Sequence, residues 1–90
     1  MLTWSTNELA DIFMMGRTAI RGWIRTGKLR GVKTCNQEGY LVTVDSLFDF
    51  FKKYPVYQEI FVFKLNHECT IGNKDSKEVL NYLQKKGYLT

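Results

Sequence analysis

Between Trp4 and Gly27 the sequence is so closely punctuated by helix start and stop signals that only two short helices fit. Ser5 stands as an N-cap, and Glu8 three residues later completes a capping box. Trp4 and Leu9 flank the pair as a hydrophobic staple. The first helix then shows Leu9, Ile12 and Phe13 at i, i+3, i+4, with Ala10 small enough to let another helix cross closely. Met14-Met15-Gly16 interrupts this pattern. Gly16 serves as a modest N-cap for a second helix from Arg17 to about Thr26, with Ala19, Ile20, Trp23 and Ile24 on its apolar face. Gly27 supplies a left-handed stop. Two short helices joined by a three-residue turn have the layout of a helix-turn-helix.

The remainder of the chain is expected to be mainly helical. Lys28–Thr34 and Tyr40–Val42 are β-prone segments around a polar stretch, Cys35–Gly39, and read as a hairpin. Thr43 then caps a third helix, with Val42 and Leu47 as its staple and Phe48, Phe50 and Phe51 along it, ending before Pro55. Pro55–Asn66 has strand-like composition at Ile60-Phe61-Val62-Phe63. The spacing of Val56, Ile60 and Phe63 behind a first-turn proline favours helix. His67–Lys74 reads as a loop, and Asp75-Ser76-Lys77-Glu78 as a capping box. The last helix uses Val79, Leu80, Tyr82 and Leu83 and stops at Gly87.

Charge sharpens the picture. The 90 residues carry a net +4. Met1–Thr34 holds six bases and two acids, +4, whereas Cys35–Thr90 holds seven of each. All six early bases (Arg17, Arg21, Arg25, Lys28, Arg30 and Lys33) fall within seventeen positions. The apolar stripe of the second helix leaves Arg17, Thr18, Arg21, Gly22 and Arg25 on the other side, with the three arginines four apart in a row. Like charges at that spacing destabilise a helix by a few tenths of a kcal/mol per pair. A polyanion would offset that penalty, so the row is expected to meet one.

Other chemistry finds little support. Cys35 and Cys69 lack metal or redox spacing and read as free thiols, and His67 with Cys69 lacks the further ligands a metal needs. Nucleophile triads, paired carboxylates and phosphate-binding glycine loops are absent from the sequence. No enzyme activity, cofactor, metal or small-molecule substrate is therefore expected. No apolar run approaches the roughly 20 residues of a membrane span, and the chain reads as cytoplasmic.

The run E-L-A-D-I-F-M-M-G-R-T-A-I-R-G-W-I-R-T-G-K-L (Glu8–Leu29), followed by a short hairpin and V-T-V-D-S-L-F-D-F-F (Val42–Phe51), resembles the winged helix-turn-helix of the excisionase and MerR-like group. The resemblance covers about Leu2–Tyr54, and W-I-R-T-G-K-L is its most specific part. It implies a winged helix-turn-helix DNA-binding domain over residues 1–54; residues 55–90, beyond it, are expected to form a helical extension that packs on the same core or mediates self-association. It implies double-stranded DNA as partner, with the second helix in the major groove and the hairpin as a wing on the adjacent minor groove or backbone. By position, Arg17, Thr18 and Arg21 match groove-facing residues, Arg25, Lys28, Arg30 and Lys33 match positions near phosphates, and Trp23 matches a packing residue. Met14 stands where the group's turn has glycine, Gly16 where it has a Ser or Thr cap, and Gly22 where it has a longer polar residue. The role implied is an excisionase-like architectural or regulatory factor of a mobile element or phage, working beside a recombinase or a second copy of itself. A small transcriptional regulator and a packaging adaptor resembling the terminase small subunit are the alternatives.

Overall fold

The computed structural model describes residues 2–33 and 39–89. Among them the chain is mainly helical, with five helices and a small antiparallel sheet. In order these are β1 (Thr3–Ser5), α1 (Thr6–Phe13), α2 (Arg17–Arg25), β2 (Val32–Lys33), β3 (Tyr40–Thr43), α3 (Val44–Lys53), α4 (Pro55–His67), β4 (Thr70–Ile71), β5 (Lys74–Asp75) and α5 (Ser76–Lys85). Of the expected turn Cys35–Gly39, all but Gly39 lies outside the described residues, as does Thr34 before it.

The local end signals act as their chemistry predicts. At the start of α1 the Glu8 N–H donates to Ser5 Oγ (3.2 Å), and the Ser5 N–H donates to Glu8 Oε1 (2.8 Å). The box thus satisfies two donors that the first turn leaves without helical partners. Its far end closes on Met14, held left-handed at φ 56°. The Met15 N–H reaches the Ala10 carbonyl (2.9 Å) and the Met14 N–H the Asp11 carbonyl (3.4 Å), the bond pair of a Schellman stop. Thr43 caps α3 by accepting from the Ser46 N–H (3.1 Å), and Asp75 caps α5 by accepting from Lys77 and Glu78. Gly87, at φ 80°, ends α5 with the Tyr88 N–H on the Leu83 carbonyl and its own N–H on that of Gln84.

Pro55–His67 is helical with Pro55 in its first turn, but its buried side is Phe61 and Leu65, and Val56 and Phe63 of the expected stripe are exposed. The segment expected as a loop is instead a tight hairpin, Thr70↔Asp75 and Ile71↔Lys74, turned by Gly72 and Asn73 with φ 55° and 65°. Positive φ at both central residues suits the twist of a two-residue hairpin. A further strand, β1, pairs with β3 through Thr3↔Thr43, Trp4↔Val42 and Ser5↔Leu41, giving the order β1-β3-β2. β1 was hidden in the sequence because three residues carry too little periodicity to register.

One buried cluster unites the chain. Trp4, Leu9, Ile20, Val42, Leu47 and Phe51 join Phe61, Leu65, Ile71, Val79 and Leu83, so residues on both sides of Tyr54 share a core. The Trp4 indole N–H donates to the Ile71 carbonyl (3.1 Å), and the Trp4 ring meets Phe61 edge-on at 5.4 Å. Beyond α5, Tyr88 stacks on Phe48 (4.7 Å between centroids) and its hydroxyl donates to Asp45 on α3.

The left-handed backbone at Met14, whose side chain is 84% exposed, disfavours any residue with a Cβ. Met14→Gly is therefore expected to stabilise the fold by about 1 kcal/mol, read as a higher urea midpoint or a melting temperature raised by about 4–8 °C. The Tyr88 hydroxyl has its pKa pushed up to about 12 by the hydrogen bond to Asp45, helped by burial and the nearby carboxylates. Since the unfolded tyrosine titrates near 10, the stability from the Tyr88–Asp45 hydrogen bond is fully present below pH ~10 and lost as pH climbs towards ~12. The stability difference between the native chain and Tyr88→Phe should shrink across that window in urea titrations.

Candidate nucleic-acid interface

The orientation of α2 is fixed by its apolar side. Ile20 is fully buried, and Trp23 and Ile24 pack partly against the core. The Trp23 indole lies among Phe50 (4.8 Å), Tyr57 (4.9 Å) and Phe13 (6.1 Å), which sets the roll of the helix about its axis. Trp23 is accordingly a packing residue. Arg17, Thr18 and Arg25 are left exposed, while Arg21 is half-buried. Gly16 gives no side-chain cap, and only its carbonyl engages the Ala19 N–H (3.1 Å). Gly27, at φ 81°, turns the chain out of α2, and the Leu29 N–H returns to the Trp23 carbonyl (3.1 Å), seating Leu29 in the core. Lys28 and Arg30, on either side of Leu29, are thereby held at the surface.

The bases do not form a single stripe; most of them sort into two grooves. At one, of about 330 Å³, Arg17 and Arg21 face Ser5, Thr6 and Asn7 at the start of α1 and Gly39 and Tyr40 at the start of β3. Thr6 builds this junction: its buried hydroxyl accepts from the Tyr40 N–H (3.2 Å) and donates to the Tyr40 carbonyl (3.4 Å). At the other, of about 370 Å³, Lys28 and Arg30 face Ser46, Asp49, Lys52 and Lys53 of α3. Arg25 and Lys33 line neither groove. Lys33 is exposed on β2 opposite Tyr40, beside Val32 opposite Leu41.

Lys52 and Lys53 are the residues that sequence reasoning missed. They follow the aromatic run of α3, where bases complement the helix dipole, and nothing local ties them to Lys28 and Arg30 some twenty positions earlier. Four bases and Asp49 give that groove a formal charge of +3, from four minus one. Asp49 is paired with Lys52 at 3.6 Å, but both side chains are largely exposed, so the pair offsets little of the field. Among the described residues, Arg17, Arg25, Lys28, Arg30 and Lys33 make no ion pair with an acid. The concentrated positive charge is thus not neutralised internally by these pairs.

Two glycines shape the surface differently. A Cβ on Gly31 would lie 3.0 Å from Ile24 Cδ1 and 3.3 Å from Tyr40 Cβ, so a bare backbone lets β2 lie close along α2 and β3. A Cβ on Gly22 would meet nothing within 4 Å.

Among the described residues no cluster of three or more His, Cys, Asp or Glu is arranged to hold a metal ion. His67 stacks on Phe63 and bonds its carbonyl through Nδ1 (2.9 Å), and Cys69 is an exposed free thiol. No helix among the described residues is long and apolar enough to cross a membrane. Comparison with protein-family models, curated proteins and solved structures found no match.

The open space at Gly22 makes its substitution a clean probe of α2. Gly22→Ala should stabilise the fold by roughly 1 kcal/mol, the helix-propensity gain with no steric penalty, measured by chemical denaturation.

Proposed function

We propose that this protein is a site-specific double-stranded DNA-binding factor of winged helix-turn-helix type, architectural or regulatory in the excisionase-like manner, with α1 and α2 as the paired helices and the β2–β3 hairpin as the wing. One observation carries the reading: six bases of a seventeen-residue window sit on the outward side of α2 and on the segment leaving it, while the inward side of the same helix is locked into the core. An α-helix such as α2, about 10–12 Å across with its side chains, fits a major groove about 12 Å wide.

Roles follow from position. Arg17, Thr18 and Arg21 on the first turns of α2 reach base edges, where an arginine reads guanine O6 and N7 through two hydrogen bonds. Arg25, at the last turn, and Lys28, Arg30 and Lys33 beyond it hold phosphates, which set affinity and register rather than sequence. The uncapped start of α2 adds backbone donors facing the same polyanion.

The test begins with selection of bound duplexes from a random pool, followed by titrations over a salt series. Affinity is expected to fall with salt at about −0.9 in log–log slope for each phosphate neutralised. Arg17→Ala and Arg21→Ala should each lose about 1–3 kcal/mol of discrimination for the selected site, whereas Lys28→Ala, Arg30→Ala and Lys33→Ala should weaken all duplexes about equally. Absence of duplex binding at low salt, or arginine variants with unchanged affinity and site choice, refutes the reading.

A further inference from the structure

Four large apolar side chains are exposed among the described residues: Met14, Val32, Val56 and Phe63. Met14 is explained by its place in a turn and Val32 lies on the short strand β2, but Val56 and Phe63 share one helix, α4. That helix is apolar on two sides. Phe61 and Leu65 face inward and are buried, while Val56, Glu59, Phe63 and His67 follow one another at three- and four-residue steps along the outer face. Phe63 is 60% exposed, its ring stacked face to face on His67 at 4.1 Å. Beside it runs an open groove of about 590 Å³ lined by Pro55, Glu59, Val62, Phe63, His67 and Leu89 among others.

We propose that this outer face of α4 pairs with the same face of a second copy of the chain, the two helices running antiparallel about a two-fold axis at Phe63. The argument is self-complementarity. A two-fold interface must bring each residue against its symmetry mate or against a partner it meets twice. An axis through Phe63 sets ring against ring. It also places Glu59, four residues before the axis, at the height of His67 of the second copy, four residues after it, about 6 Å along the helix on either side. Each carboxylate then meets an imidazole, twice over, and helices packed at about 8–10 Å bring such pairs within reach. A parallel arrangement would set Glu59 against Glu59 instead. The groove between Phe63 and Leu89, of about 590 Å³, lies beside this axis. This contact lies on α4 and the adjoining Leu89 and does not depend on DNA binding.

The face is a single helical stripe, so association belongs at the weak end, with a dissociation constant on the order of 0.1 mM. Equilibrium sedimentation of the full chain up to about 1 mM, without DNA, is expected to show a monomer–dimer equilibrium. Phe63→Glu should weaken it about 30-fold or more, with the helical circular dichroism unchanged because the ring lies outside the core. Glu59→Lys and His67→Glu should each weaken it, and the double variant Glu59→Lys/His67→Glu should recover much of the loss. A chain that stays monomeric throughout, or a dimer indifferent to Phe63→Glu, overturns the proposal. A double variant no better than its parents overturns the antiparallel register. Capture of a different protein on this face by a monomeric chain would equally count against it.

Discussion

The fold hangs on the burial of Trp4. Its backbone sits on β1 opposite Val42, its ring is fully buried against Phe61 of α4, and its indole N–H ends on the carbonyl of Ile71 in the β4–β5 hairpin. A single side chain near the start of the chain thus joins the small sheet, the fourth helix and a hairpin sixty-seven residues away. The fit leaves no spare room: a Cβ on Gly72 would come within 2.3 Å of the indole, and Lys74 places its ammonium 5.7 Å from the ring centre. An indole N–H buried without a partner would carry a penalty of about 1–3 kcal/mol, so the Ile71 carbonyl is what makes the burial tolerable. Because Trp4 immediately precedes Ser5, this anchor also fixes where α1 starts, and α1 in turn carries α2.

The basic face is a consequence of that packing. Ile20 and Trp23 bind α2 to the core through one side, so the arginines have nowhere to go but outward. A chain selected for folding alone would place acids among them, because like charges four apart weaken a helix and the first turn of α2 favours negative charge. Instead Arg17 occupies that first turn and Gly16 offers no side-chain cap. Local sequence choice and local stability disagree at α2, and such disagreements concentrate where a surface serves something other than folding.

How much was legible in the sequence depended on range. Capping and stop signals lie within four or five residues of what they act on, so Ser5 with Glu8, Thr43, Asp75, Gly27 and Gly87 could be read directly and the helices fell into place. Short strands gave no such signal. β1, β4 and β5 exist because of partners far away, and Gly72 is required by an indole that no local pattern brings near it. The candidate site divides along the same line. The bases on α2 were legible as a face because helical spacing is local, whereas Lys52 and Lys53 join Lys28 and Arg30 only through the docking of α3 beside the chain leaving α2.

The structure also separates bases that the sequence made look equivalent. Arg21 is half-buried at a junction built by Thr6 and Tyr40, while Arg25, Lys28, Arg30 and Lys33 stand exposed. An arginine or lysine side chain carries about 2 kcal/mol of rotamer entropy, and an exposed one loses most of it only on meeting a ligand. At Arg21, which is half-buried, part of that cost falls in folding. A half-buried arginine suits a contact of fixed geometry, such as the paired acceptors of one base edge, and exposed bases suit phosphates, which accept from many directions. Under the DNA-binding reading, discrimination should therefore concentrate where burial and charge coincide on α2, and the exposed bases around it should act mainly by their summed field.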